Sequence, residues 1–240
     1  MKQVILLLHI LVSRNRMQKC CVIFISIILF ACNQPEPQSN QPEPNYYANC
    51  NVESLYDLKY LENVDSITSL HIVTTDSKLI PIILKSMGKT KVKYLSVFTD
   101  SLILNENIEI QGLVDLNITA MRYAEMNGSI RSSSLKNIIF FKLNEDESDF
   151  LKDQKLRSIQ LFCDSNGIPG MISSVSSVDY IRVDGDFTSE VDLSSIKNVE
   201  SVIQITNHNK NVHLSLEKVK KILLKNNSPD VSIYLDREIE

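Results

Sequence analysis

The spacing of apolar residues predicts an α/β solenoid: stacked coils, each giving one short strand to a single parallel sheet of about seven to eight strands. Two apolar residues two apart recur about every 22 residues. The first members are Leu70, Leu95, Leu116, Ile138, Ile159, Ile181, Ile203 and Ile233; the second are Ile72, Val97, Ile118, Phe140, Leu161, Val183, Ile205 and Leu235. Spacing of two marks a strand with one buried face. The roughly 16 residues left in each unit are too few for the helix and two loops of an ordinary strand-helix-strand crossover of about 30 residues, so the returns are short and the coils stack. Ahead of the pairs lies spacing of three, as in Leu61, Val64, Ile67, Leu70 and again in Ile172, Val175, Val178, Ile181. That interval fits tight turns or 3-10 segments with their side chains along one edge.

Residues 1–31 form the first region. They carry Lys2, Arg14, Arg16 and Lys19 and no acidic residue, the charge bias of an export signal. The apolar run Cys20–Ala31 is shorter than the roughly 20 residues a bilayer span needs, and it suits a signal h-region. It closes on Leu29-Phe30-Ala31-Cys32, which resembles the lipobox of bacterial lipoproteins: an aliphatic residue at minus three, a small one at minus one, then cysteine. The resemblance implies cleavage before Cys32 and a diacylglycerol on its thiol. An uncleaved signal anchor with Cys32 as a bystander is the alternative. The first 16 residues add an apolar run that a signal does not need, so Met17 is the expected start.

Loss of residues 1–31 removes four of the 25 basic residues and none of the 29 acidic ones, leaving a net charge of −8. A nucleic-acid partner is excluded on that balance. An apolar content of 43% with 22% charged residues excludes disorder of the whole chain. Of the five cysteines, Cys50 and Cys163 remain in the mature chain, far apart along the array, and are expected as separate thiols.

Residues 32–48 follow as a tether, with Asn-Gln-Pro-Glu-Pro at 33–37 and again at 40–44. Such proline-rich polar sequence favours an extended polyproline conformation of about 3.1 Å per residue, which gives distance and freedom. A proline-recognition ligand is the alternative reading.

Residues 49–240 hold the array. Its units Ile67/Leu70/Ile72, Val92/Leu95/Val97, Leu113/Leu116/Ile118, Leu135/Ile138/Phe140, Leu156/Ile159/Leu161 and Val178/Ile181/Val183 resemble the leucine-rich repeat, Leu-x-x-Leu-x-Leu. The resemblance implies a right-handed coil with the strands on one side and helical or 3-10 returns on the other. The last two units depart, with Glu200 and Asp230 at the first apolar position and Val199 and Val231 one residue away. The family's asparagine, three residues past the last apolar position, is replaced by Thr75, Asp100, Met121, Leu143, Asp164, Asp186 and His208. Asp or Thr is therefore expected to satisfy the backbone inside each turn.

Two returns read as helices. Residues 76–88 have Asp76 or Ser77 as N-cap and Gly88 as a stop, with Pro81 early in the run. Residues 215–226 put Leu216, Val219, Ile222 and Leu223 on one face after a Ser215 cap, and this helix is expected to close the C-terminal end of the array. A short capping helix is expected at Val52–Leu61.

Catalytic motifs are missing from the sequence. His9, His71, His208 and His213 belong to no metal pattern, and there is no phosphate-cradling glycine cluster or Gly-x-Ser-x-Gly elbow. The segments Asp164–Gly167 and Asp184–Asp186 lack the full ligand series of a calcium loop and read as turns. No enzyme, cofactor or metal is expected.

The strand residues between the buried pairs face outward together. Phe98, Phe141 and Phe162 then share one column, Tyr94 and Tyr180 another, with Arg182 beside them. Exposed aromatics with few charges have the composition of protein-interface hot spots; a register slip of one would instead turn them inward. The expected function is a non-catalytic lipoprotein of the bacterial cell envelope, lipid-anchored to a membrane, with the outer membrane the first choice. It would bind a protein, or a glycan, on the sheet face. The rivals are a structural or adhesive scaffold and an inhibitor or immunity-type protein.

Overall fold

In a parallel array the register decides which side chains share a surface, and here it follows the sequence spacing. The computed structural model describes residues 46–61, 63–141, 150–163, 167–187, 191–209 and 211–237. The stretch read as an export signal, Cys32 and most of the stretch read as a tether lie outside the described residues, as do Leu143 and Asp164. Nine strands form one parallel sheet whose spatial order is their order in sequence. They are β1 (Tyr46–Val52), β2 (Ser66–Thr74), β3 (Lys91–Leu104), β5 (Asp115–Met126), β7 (Asn137–Phe141), β8 (Lys155–Cys163), β9 (Ser177–Gly185), β10 (Val199–Asn207) and β11 (Ser232–Arg237). The short strands β4 (Ile108–Glu109) and β6 (Ile130–Arg131) form a separate parallel pair. Two helices, α1 (Leu79–Ser86) and α2 (Leu216–Leu223), and two 3-10 segments, η1 (Asp57–Leu61) and η2 (Gly170–Ser174), complete the described elements. The fold is a parallel-sheet structure of the α/β type.

The apolar pairs fall into two rows. Leu70, Leu95, Leu116, Ile138, Ile159, Ile181, Ile203 and Ile233 are register partners in turn across the sheet, and their partners two residues on form the next row. All are buried except Leu235, which is half-buried. Each such burial stabilises by about 1.5–3 kcal/mol before entropy is counted. The returns supply the opposite wall of this core: Ile80, Ile83 and Leu84 from α1, Met171 and Ile172 from η2, Phe187 and Ile196 from the connection after β9. Phe150, from the connection after β7, meets Phe140 edge-on with centroids 5.8 Å apart.

The departure of the seventh unit has a structural cause. In β10 an extra residue between Val199 and Val202 makes a bulge, so that Val199 pairs with Val178 and is buried in its row. Glu200 is exposed beside it. Val231 is likewise buried just ahead of β11.

Several expectations are corrected. The main sheet has nine strands because β1 adds Cys50 and Val52 to the two buried rows, paired with Leu70 and Ile72. β1 also begins at Tyr46, inside the stretch read as tether. The capping helix expected at Val52–Leu61 is only the five-residue η1, because Val52 belongs to β1. Its Asp57 accepts hydrogen bonds from the Glu53 and Ser54 amides at 2.9 and 2.8 Å. The Glu53 amide is the main reason the Asp57 carboxyl is held below its ordinary range, the Ser54 groups helping and partial burial opposing.

Helix α1 starts at Leu79 without a side-chain cap, although Asp76 accepts from the Lys78 amide at 3.0 Å. In α2 the Ser215 cap is present, but Leu216 is exposed and only Val219 and Leu223 are fully buried. At the described exit positions Thr75, Asp100 and Asp186 no side-chain bond to the backbone forms, but one residue earlier Thr74 Oγ1 accepts from Asp76 N at 3.1 Å and Thr99 Oγ1 donates to Ser101 O at 2.8 Å. Thr90 Oγ1 donates to Val64 O at 3.0 Å, Asn198 Nδ2 to Val175 O at 2.7 Å and Asn227 Nδ2 to Ile196 O at 3.0 Å. Thr90 and Asn198 sit at the entrances to β3 and β10, and Asn227 in the turn after α2.

Candidate functional site

The outward positions of the sheet form three columns, each set by backbone register. One runs Ser69, Tyr94, Asp115, Asn137, Ser158, Tyr180, Val202 and Ser232; the next runs His71, Ser96, Asn117, Ile139, Gln160, Arg182, Gln204 and Tyr234. The third runs Val73, Phe98, Thr119, Phe141, Phe162, Asp184, Thr206 and Asp236. Phe98, Phe141 and Phe162 therefore do share a column, and Tyr94 and Tyr180 another.

Phe141 and Phe162, neighbours on β7 and β8, are stacked with centroids 4.2 Å apart and planes 4° from parallel. Both are half-buried, and Phe98 is 39% exposed. Thr119 separates Phe98 from the stack by one strand, so the sequence column becomes one stacked pair and one isolated ring. Tyr94 and Tyr180 lie far apart along their column. Tyr94 tilts over His71 at 5.7 Å and accepts from Asn117 Nδ2 at 3.4 Å. Burial pushes the His71 pKa down.

Polar ladders knit the same face. Asn137 Nδ2 donates to Asp115 Oδ1 at 2.6 Å, and Ser158 Oγ donates to Asn137 Oδ1 at 2.8 Å. Toward β11, Tyr180 OH donates to Gln204 Oε1 at 2.7 Å and Gln204 Nε2 donates to the Asp236 carboxylate. Burial raises the Tyr180 pKa, Arg182 opposing it. Arg182 Nε donates to Asp184 Oδ2 at 2.8 Å, and this hydrogen bond is the main reason the guanidinium pKa is raised. Asp184 is only 2% exposed. Its Oδ1, and Thr206 Oγ1 at the register-paired position, are buried with no hydrogen-bond partner.

Sequence reasoning singled out Tyr180 and Arg182 for this face but not the groups bonded to them, Gln204 and Asp184, nor Asp236, which accepts from Gln204. The signal was present, since all three stand at outward positions of consecutive units. Tyr234 was also missed; it extends the middle column and is exposed.

Among the described residues no group of three or more His, Cys, Asp or Glu side chains comes together as a metal site. No described helix is long and apolar enough to cross a membrane. Cys50 in β1 and Cys163 in β8 are not joined in a disulfide. The chemistry this face offers is apolar burial on flat rings, flanked by fixed hydrogen-bonding groups. No protein-family model, no curated protein and no solved structure matches this chain.

Proposed function

We propose that the chain is a membrane-tethered, non-catalytic lipoprotein whose leucine-rich-repeat-like solenoid binds a protein partner on the outward face of its sheet. Strict sequential order of nine parallel strands supports the solenoid, as do connections such as the ten residues between Leu104 and Asp115, too short for an ordinary crossover. The lipid anchor rests on the Leu29–Cys32 motif and the basic, acid-free leader.

The observation that carries the binding face is the Phe141–Phe162 stack with Phe98 in its column. Rings on an outward face gain little from folding and much from a partner that covers them. The Tyr180–Gln204–Asp236 and Arg182–Asp184 groups give the same surface fixed polar contacts that cost little ordering on binding.

The test is affinity capture from envelope extracts with the full chain and its Phe98→Ser/Phe141→Ser/Phe162→Ser variant, alongside thermal unfolding of both. A stoichiometric partner held by the parent and lost by the variant, with cooperative unfolding retained, supports the face. A variant that captures the same partner equally well places the binding elsewhere, and global unfolding makes the rings core.

A further inference from the structure

All nine strands of the main sheet are parallel, so their N-terminal ends lie along one edge. Tyr46, the first residue of β1, joins that edge to the segment bearing Cys32. The central strands carry cations there: Lys91 and Lys93 opening β3, Lys136 just ahead of β7, Lys155 and Arg157 opening β8. All five are exposed, and none forms an ion pair among the described residues.

Backbone hydrogen bonds set three of them in one row. Val114 N donates to Lys93 O at 2.9 Å, Lys136 N to Val114 O at 2.9 Å and Arg157 N to Lys136 O at 2.8 Å. Lys136 and Arg157 thus stand side by side on adjacent strands, about 4.8 Å apart, and like charges so placed repel. Among the described residues, the acids within this stretch are Asp115, which accepts from Asn137, and the exposed Asp153. Asp65, Asp179, Glu200 and Asp230 flank it on the outer strands. The opposite side of the sheet carries Asp76, Asp100, Asp184, Asp186 and Asp236. An acidic chain has therefore gathered cations without ion-pair partners among the described residues on the central strands of the edge its tether enters.

We propose that this edge docks on the anionic headgroups of the membrane that holds Cys32. The inference rests on the lipid-anchor reading above. In a polyproline conformation of about 3.1 Å per residue, residues 33–45 would hold the domain within about 40 Å of the lipid, so the cations would meet the surface at a high effective concentration. Basic residues gain from an anionic leaflet only within a Debye length, about 8 Å at physiological salt, which calls for contact by the rim itself. The strands then run along the membrane normal, and the outward face with Phe98, Phe141 and Phe162 looks sideways, open to a partner.

The test uses the full-length acylated protein on vesicles of phosphatidylcholine alone or mixed equally with phosphatidylglycerol. Flotation reports the anchor, and amine labelling read by mass spectrometry reports the rim. The expected result is flotation on both vesicles, with labelling of Lys91, Lys93, Lys136 and Lys155 reduced about threefold relative to Lys218, Lys220 and Lys221 on the mixed vesicles only. That protection is lost at about 0.5 M salt. In a Lys93→Glu/Lys136→Glu/Arg157→Glu variant with unchanged circular dichroism, Lys91 and Lys155 lose their protection. Flotation on both vesicles with identical labelling overturns the docking and leaves the anchor standing. Failure to float on neutral vesicles overturns both. Protection given only by added polyglutamate assigns the edge to an acidic protein segment and overturns the membrane reading.

Discussion

Strands β3 and β5 leave the buried rows in one way, and β9 and β10 in another. The first two run on after the rows: Ser101 pairs with Tyr123 and Leu104 with Met126, beyond a bulge that follows Thr99. The loops then stack directly, with Asn127 Nδ2 donating to Asn105 Oδ1 at 3.2 Å, Ser129 Oγ to Asn107 Oδ1 at 2.7 Å, and β4 pairing with β6. By contrast β9 and β10 stop at Gly185 and Asn207, and the Asn207 side chain takes over. Its Oδ1 accepts from the Phe187 and Asn209 amides, each at 3.0 Å, and its Nδ2 donates to Val212 O at 3.3 Å. The recurring apolar spacing specifies the strand and its buried pair; each exit then satisfies its own backbone groups, by main-chain pairing or by one side chain.

The largest test of that contrast is Gly128→Ala. Gly128 N donates to Leu104 O at 2.7 Å, and a Cβ there would lie 2.1 Å from the Glu106 carbonyl oxygen and 2.3 Å from its carbon. Main-chain atoms cannot swing away as a side chain does, so the stacked loops must part. Urea unfolding should show a loss of about 3 kcal/mol or more; a loss under about 1 kcal/mol would mean that the loops do not approach so closely.

Next comes Asn207→Ala, which leaves the Phe187 and Asn209 amides without their acceptor and should cost about 2–3 kcal/mol. Asn105→Ala, whose amide partner Asn127 also donates to Glu125 Oε1 at 2.9 Å, should cost under about 1 kcal/mol. Equal losses in the two variants would erase the distinction between the exits. Phe141→Ser separates the outward face from the core: it should cost about 1–2 kcal/mol, against about 3–5 kcal/mol for the adjacent Phe140→Ala.

The smallest effect is a pH dependence. Burial lowers the His71 pKa below its ordinary 6.5, so the unfolded chain binds the proton more readily than the folded one. That contribution to stability is present above the unfolded pKa and is lost as pH falls through it toward the lower folded value. Thermal midpoints measured across this window should fall on acidification, and His71→Asn should flatten the slope. A slope unchanged by the substitution would assign it to other groups.

The rows and columns were legible because they depend on a period, and a period survives single departures such as Glu200, which the bulge in β10 absorbs. β1 was harder to see: Cys50 and Val52 stand only 20 residues before Leu70 and Ile72, behind a polar stretch. The continuation of β3 and β5 escaped because it breaks register at a bulge, and Ser101, Asn105 and Asn127 read as loop residues. Phe150 and Phe187 belong to returns, where no spacing distinguishes a core ring from an exposed one. On the site, the period placed Tyr180 and Arg182, but the bonds to Gln204 and Asp184 depend on side-chain direction, which the period does not carry.

Hydroxyl-radical footprinting of the full chain, read at each phenylalanine by mass spectrometry, distinguishes an outward aromatic column from a buried one. Phe140 and Phe141 are adjacent in sequence and belong to opposite faces, so a register slip of one would exchange them. Phe98 should oxidise rapidly, Phe141 and Phe162 more slowly but measurably, and Phe140, Phe150 and Phe187 should be protected. Oxidation of Phe140 as fast as Phe141, or protection of Phe98 in the free protein, would contradict an outward aromatic column.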